Sequence, residues 1–177
     1  MSSLTVLAWL AVAAYALHVV EEHILGWYDW ARKTMNISLG WNEYVITEAA
    51  ILLLGVTAAV LSENKECGTT LVIAFATLLL INAIFFHVLP MLANRGRFSP
   101  GAISGLFLFL PLAWLVFKTP QAMALNTNGM VWAVVLGIGL ILWPMFLLKL
   151  RGTAYFSGRA APARAAKSSG KAKRKKR

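Results

Sequence analysis

Charge is scarce in this sequence: 14 % of its 177 residues are Asp, Glu, Lys or Arg, and only seven are acidic. A chain so poor in charge and 59 % hydrophobic falls outside the ordinary soluble domains, in which about a quarter of residues are charged. Cysteine is nearly absent too. Cys67 stands alone, so an internal disulfide and a cysteine-built metal site are excluded, and any metal chemistry must use imidazole and carboxylate. Also missing are a phosphate-cradling glycine loop, a serine-nucleophile elbow and a Cys/His redox arrangement, which argues against a nucleotide cofactor. Basic residues are present but unevenly placed. Of the 17, 11 lie from Lys149 onward, where no Asp or Glu occurs, so the formal net charge of +10 belongs to a tail and the rest is nearly neutral.

What fills the chain instead is apolar sequence in five stretches, at about residues 4–25, 43–61, 69–92, 101–117 and 129–150. Each is near the roughly 20 residues that cross a hydrocarbon core of about 30 Å. The expected fold is all-α: a polytopic membrane bundle of about five transmembrane helices over residues 1–150, followed by a disordered basic tail over 151–177. The first stretch lacks a basic leader and ends in His-Val-Val-Glu-Glu-His, so it reads as a membrane helix and not as a cleaved signal peptide. Ser99 before Pro100 reads as the N-cap of the fourth helix with proline in its first turn.

Orientation follows from the basic residues. Arg32 and Lys33 mark the first loop, Arg95 and Arg97 the third, and the tail is richest of all; the second and fourth loops carry only Lys65 and Lys118. The positive-inside rule then predicts the amino terminus outside and the carboxyl terminus in the cytoplasm, most naturally in a cell inner membrane. Trp27, Tyr28, Trp30 and Trp41 would form the inner aromatic belt, with the segment between them lying along the interface. Membrane lipids are the expected partners. The tail is expected to touch anionic headgroups, each nearby Lys or Arg contributing about 1 kcal/mol, with a bare topology signal or nucleic-acid contact as the alternatives.

Ionisable residues within such helices are costly unless paired, solvated or coordinated, and so mark a site. The first helix carries His18, Glu21, Glu22 and His23, the second Glu48, the third Asn82 and His87; all three histidines are in that set. At 1.5 Å per residue, His18, Glu22, Glu48 and His87 lie about 10, 5, 7 and 7 Å from the inner ends of their helices. They therefore share one level, in the cytoplasmic third. Glu21 and Glu22 follow His18 by three and four positions, on its side of the helix, whereas His23 points elsewhere. Asn82 and His87 are about 140° apart on a regular helix, so both reach one site only if the helix is distorted; Pro90 supplies a cause.

These residues also carry a resemblance. His18-Val-Val-Glu21-Glu22, the Asn82 and His87 pair, and Arg97-Phe-Ser-Pro-Gly101 resemble the HXXEE domain proteins, small multi-pass membrane proteins of largely unknown function. The resemblance spans about residues 5–148 and leaves the tail outside it. It supports the choice of site residues and implies no particular reaction.

The leading chemistry is a metal centre. His18, Glu22 and His87 would bind a divalent ion, zinc, iron or manganese, and Glu21 or Glu48 would serve as the catalytic base. The expected activity is that of a hydrolase or oxidoreductase acting on a lipid-like or amphipathic substrate at the inner leaflet. Arg95 and Arg97 would be available for an anionic headgroup, although the positive-inside rule alone accounts for them. Three alternatives use the same residues: a metal-free acid/base isomerase or cyclase, a proton or ion carrier, and a hydrogen-bonded cluster that only holds helices together.

Overall fold

The computed structural model describes residues 1–37, 40–64 and 67–150, apart from the side chains of 145 and 147–150. The basic tail from 151 onward, with Lys65 and Glu66, lies outside the described residues. Two units divide the chain, Met1–Trp143 and Pro144–Arg177, and the packing below is that of the first.

Among the described residues the structure is all-helical, with seven helices. They are α1 (Ser3–Leu25), α2 (Trp27–Thr34), α3 (Trp41–Leu61), α4 (Cys67–Ala93) and α5 (Ala102–Phe117), α6 (Pro120–Met123) and α7 (Thr127–Leu150). The expected five stretches correspond to α1, α3, α4, α5 and α7. The two added helices are short. α2 occupies the segment expected along the interface, with Asp29 in its first turn and Arg32 and Lys33 in its last, which complements the helix dipole. α6 is a single turn that Thr119 caps by accepting from Ala122 N–H at 3.3 Å.

Four helices are long and apolar enough to cross a membrane: α1, α3, α4 and the Thr127–Pro144 part of α7. α5 falls short of the expected fifth span. Its 16 residues reach about 24 Å, because it starts inside the bundle: an added Cβ on Gly101, its N-terminal neighbour, would lie 2.5 and 2.7 Å from the Cε1 atoms of His87 and His18.

α4 is the central element. From Val72 to Leu79 every residue is buried, as expected of a helix that is apolar all round. Against it pack α3 and α5, and α1 closes the set by touching all three. α3 shows the pattern that fits this role. Tyr44, Thr47, Ile51, Gly55 and Ala58 recur at helical spacing and are buried, while Ile46, Leu53 and Val60, seven apart, point outward and are 62, 67 and 62 % exposed. A helix apolar on both faces suits lipid outside and protein inside. Small residues permit the close approach: the Phe75 ring fills the space where a Cβ on Gly55 would lie, 2.6 Å from its tip.

Two segments widen into π-helix, Asn82–Val88 in α4 and Gly105–Phe109 in α5. Each ends at a Leu-Pro pair, Leu89-Pro90 and Leu110-Pro111. The leucine N–H reaches back five residues, to Ile84 and to Gly105 respectively. The cause is local. A proline offers no N–H and its ring excludes the carbonyl four residues earlier, so the preceding turn takes up an extra residue.

Candidate metal centre

His18 and Glu22 are one turn apart on α1, and His87 approaches them from the π-helical turn of α4. All three are buried, at 0, 3 and 0 % exposure. His18 Nε2 and His87 Nε2 each lie 3.4 Å from Glu22 Oε1, and one ligand atom from each residue falls within 4.8 Å of the others. These three could hold a metal ion. A tetrahedral site with arms of about 2.1 Å has edges of about 3.4 Å, the length the two His–Glu separations already have.

Surrounding groups fix each member. Four donors converge on Glu21: the N–H groups of Gly101 (3.0 Å), Ile103 (3.1 Å) and Ser104 (2.8 Å), and the Ser104 hydroxyl. A carboxylate from α1 thus caps the N-terminus of α5, where the helix dipole favours negative charge. The Ser104 hydroxyl also lies 2.7 Å from His18 Nδ1. Its hydrogen is directed to Glu21, so Nδ1–H donates to Ser104 and Nε2 is turned toward Glu22. That Nε2 is buried with no hydrogen-bond partner among the described residues. This nitrogen and a carboxylate oxygen therefore face each other at 3.4 Å in the interior, with room for a cation or a proton between them.

The other oxygen of Glu22 accepts from the Tyr44 hydroxyl at 3.0 Å. His87 Nδ1 lies 3.2 Å from Ser99 Oγ, and His87 Nε2 lies 2.9 Å from Asn82 Oδ1, to which it donates, so an ion at Nε2 would displace that proton. The last contact exists because of the π turn, which brings residues five apart nearly into line. Gly101 seals the centre between the two rings. Its φ of +88° and the missing room for a Cβ beside both imidazoles each require glycine.

The remaining site candidates occupy different positions. Glu21 leaves the His18 side of α1 for the end of α5, because positions i+3 and i+4 lie on opposite flanks of residue i, about 100° apart. Glu48 lies apart from the triad: Tyr15 donates to its Oε2, and the Tyr15 ring is 6.1 Å from that of His18. His23 is exposed and packs on Trp41 at 5.5 Å. Arg95 and Arg97 are exposed in the α4–α5 connection and line a separate cavity of about 250 Å³. Ser99 does not cap α5; Glu21 and the Gly101 backbone take that place. Ser104 is the member that sequence reasoning did not single out. A hydroxyl in the first turn of an otherwise apolar helix was its one local signal.

The family model described as "Protein of unknown function with HXXEE motif" matches residues 9–116, a span that contains every residue of the centre. No curated protein and no solved structure matches the chain.

Proposed function

We propose that this chain, which belongs to the HXXEE family, is a membrane-embedded metalloenzyme in which His18, Glu22 and His87 bind one divalent ion. The observation that carries this reading is the buried pair at 3.4 Å, His18 Nε2 and Glu22 Oε1, in which Nε2 has no hydrogen-bond partner among the described residues. Two imidazoles and a carboxylate suit zinc or iron, and manganese as a harder alternative; such an ion supplies Lewis acidity and acidifies a bound water toward neutral pH. Zinc would make the protein a hydrolase, iron an oxidoreductase.

The chain's own residues have divided tasks. Glu21 and Ser104 hold the His18 ring in one tautomer, Tyr44 anchors the second oxygen of Glu22, and Asn82 and Ser99 flank His87. Glu21 is committed to the end of α5, so Glu48 is the carboxylate left to accept a proton from substrate or water. With Arg32, Lys33, Arg95 and Arg97 at one end of α1, α3 and α4, that end is assigned to the cytoplasm of a cell inner membrane. The centre then serves an amphipathic substrate drawn from the inner leaflet, and the tail engages anionic headgroups.

Zinc titration of the detergent-purified chain, in competition with a chromophoric chelator, tests the assignment. Wild type should bind about one equivalent, and His18→Ala or His87→Ala should weaken binding at least about a hundredfold; affinity equal to wild type in both variants removes the reading. The two 3.4 Å separations also favour a second reading, a proton shared among the three groups in a purely structural ion pair. Under it none of the three proteins binds metal.

A further inference from the structure

Asn82 is the only carboxamide in α4, and it is half-buried. On a regular helix it would stand about 140° from His87. The π turn over Asn82–Val88 takes up an extra residue and brings its Oδ1 to 2.9 Å from His87 Nε2. Turns of this kind interrupt the regular backbone bonding and are found frequently at functional sites, where they re-aim a side chain. Here the pair they align is an imidazole of the triad and a carboxamide oxygen.

The direction of that contact decides what the oxygen can do. A hydrogen bond to a ring nitrogen runs close to the plane of the imidazole, along the axis on which the same nitrogen would hold an ion. An ion bound about 2.1 Å from Nε2 therefore comes within about 2 Å of Oδ1, even where the contact is bent as far as a hydrogen bond tolerates. Asn82 must then either join the ion or swing away. Swinging away strands an amide in an apolar interior, whereas joining satisfies the oxygen through a lone pair, and a carbonyl oxygen suits hard divalent ions.

The length of the contact agrees. Ligands at right angles on arms of about 2.1 Å are about 3.0 Å apart, against about 3.4 Å at the tetrahedral angle. The Asn82–His87 pair, at 2.9 Å, has the first spacing, so the set fits an ion of five or six ligands. Four protein ligands would close a tetrahedral zinc site, but they leave a larger coordination sphere open for substrate and water.

From this we infer that Asn82 Oδ1 is a fourth ligand of the centre, taking up the ion together with His18, Glu22 and His87, and that this oxygen tilts the site toward manganese(II) or iron(II). The inference rests on the metal reading above and adds which residue completes the set.

Manganese(II) titration of the full chain in detergent, followed by the paramagnetic resonance signal of the free ion, tests it. Wild type should bind about one equivalent. Asn82→Ala should weaken binding about tenfold or more, and zinc binding by a smaller factor; Asn82→Asp, which keeps an oxygen at the same place, should bind at least as tightly as wild type. The direction of the change is decisive. An Asn82 that only accepts the His87 proton competes with the ion, so its removal would tighten binding. Unchanged or tighter manganese binding in Asn82→Ala, or weaker binding in Asn82→Asp, overturns the proposal. A second measurement is independent of affinity: with asparagine labelled by carbon-13 at the carboxamide, bound manganese in wild type should show a carbon-13 hyperfine coupling that Asn82→Asp lacks, and wild type without that coupling also overturns it. Metal bound equally by wild type and Asn82→Ala defeats the fourth ligand alone; wild type that binds neither manganese nor zinc defeats the metal centre and the ligand with it.

Discussion

The seam between α1 and α3 is fastened twice, and its two ends use different chemistry. At the amino-terminal end of α1, Glu63 accepts from the Ser2 N–H at 3.1 Å and the Thr5 hydroxyl at 2.7 Å, and the Ser62 hydroxyl lies 2.8 Å from that of Thr5. Two hydroxyls and one backbone N–H supply the donors there, and the single acid is at the surface. At the other end lie two imidazoles and three carboxylates, with His18 Nε2 buried and without a hydrogen-bond partner among the described residues. The first arrangement shows that pinning these helices requires only a few hydroxyls and one exposed acid. The second would be far more expensive in a membrane interior and leaves that nitrogen facing a carboxylate oxygen at 3.4 Å. Helix fastening alone requires no such arrangement; the bound cation proposed above would account for it.

Breaking the end at His18 should therefore cost far more than breaking the end at Glu63. The largest effect is expected from Gly101→Ala. Its Cβ would meet the Cε1 atoms of both His87 and His18 at under 3 Å, at a φ of +88°. A loss of about 2–3 kcal/mol should appear as a lower melting midpoint in detergent, together with loss of metal binding; a variant that melts and binds like wild type would show that the rings do not close on this glycine. Next comes Ser104→Ala. It leaves the triad in place but frees His18 Nδ1, so metal affinity should fall about 10- to 100-fold with a smaller change in melting. An unchanged affinity would mean that the link from Glu21 through Ser104 does not set the ring.

Glu63→Gln should have the smallest effect, and it carries a pH signature. The Thr5 hydroxyl and then the Ser2 N–H hold the Glu63 carboxyl below the usual carboxylate range. Its contribution is therefore present above the unfolded value of about 4.3 and is lost as pH falls through the lower folded value. The melting difference between wild type and Glu63→Gln should shrink in acid while metal binding stays intact. A difference that grows in acid would reverse the assignment.

The division between what local sequence revealed and what it hid follows the same contrast. Apolar run length placed the main helices almost to the residue, Ser3–Leu25 for the expected 4–25 and Cys67–Ala93 for 69–92, the lengths that crossing a hydrocarbon core would impose. Counting residues from helix ends also put His18, Glu22 and His87 at one level. The need for a distortion to unite Asn82 with His87, and Pro90 as its cause, were readable because both are local. The capping of α5 was not. Ser99 stood beside the helix start as a ready cap, yet the donors of Gly101, Ile103 and Ser104 bind Glu21, some 80 residues away in sequence. A tertiary partner displaced the local one, and with it came Ser104, Gly101 and a fourth helix at the centre.

Metal content on purification tests the central claim most directly. Full-length wild type and Glu63→Gln, analysed for elements as they come from the membrane, should each carry about one equivalent of zinc, iron or manganese, and His87→Ala should carry almost none. Wild type without metal, or His87→Ala with as much as wild type, would contradict it.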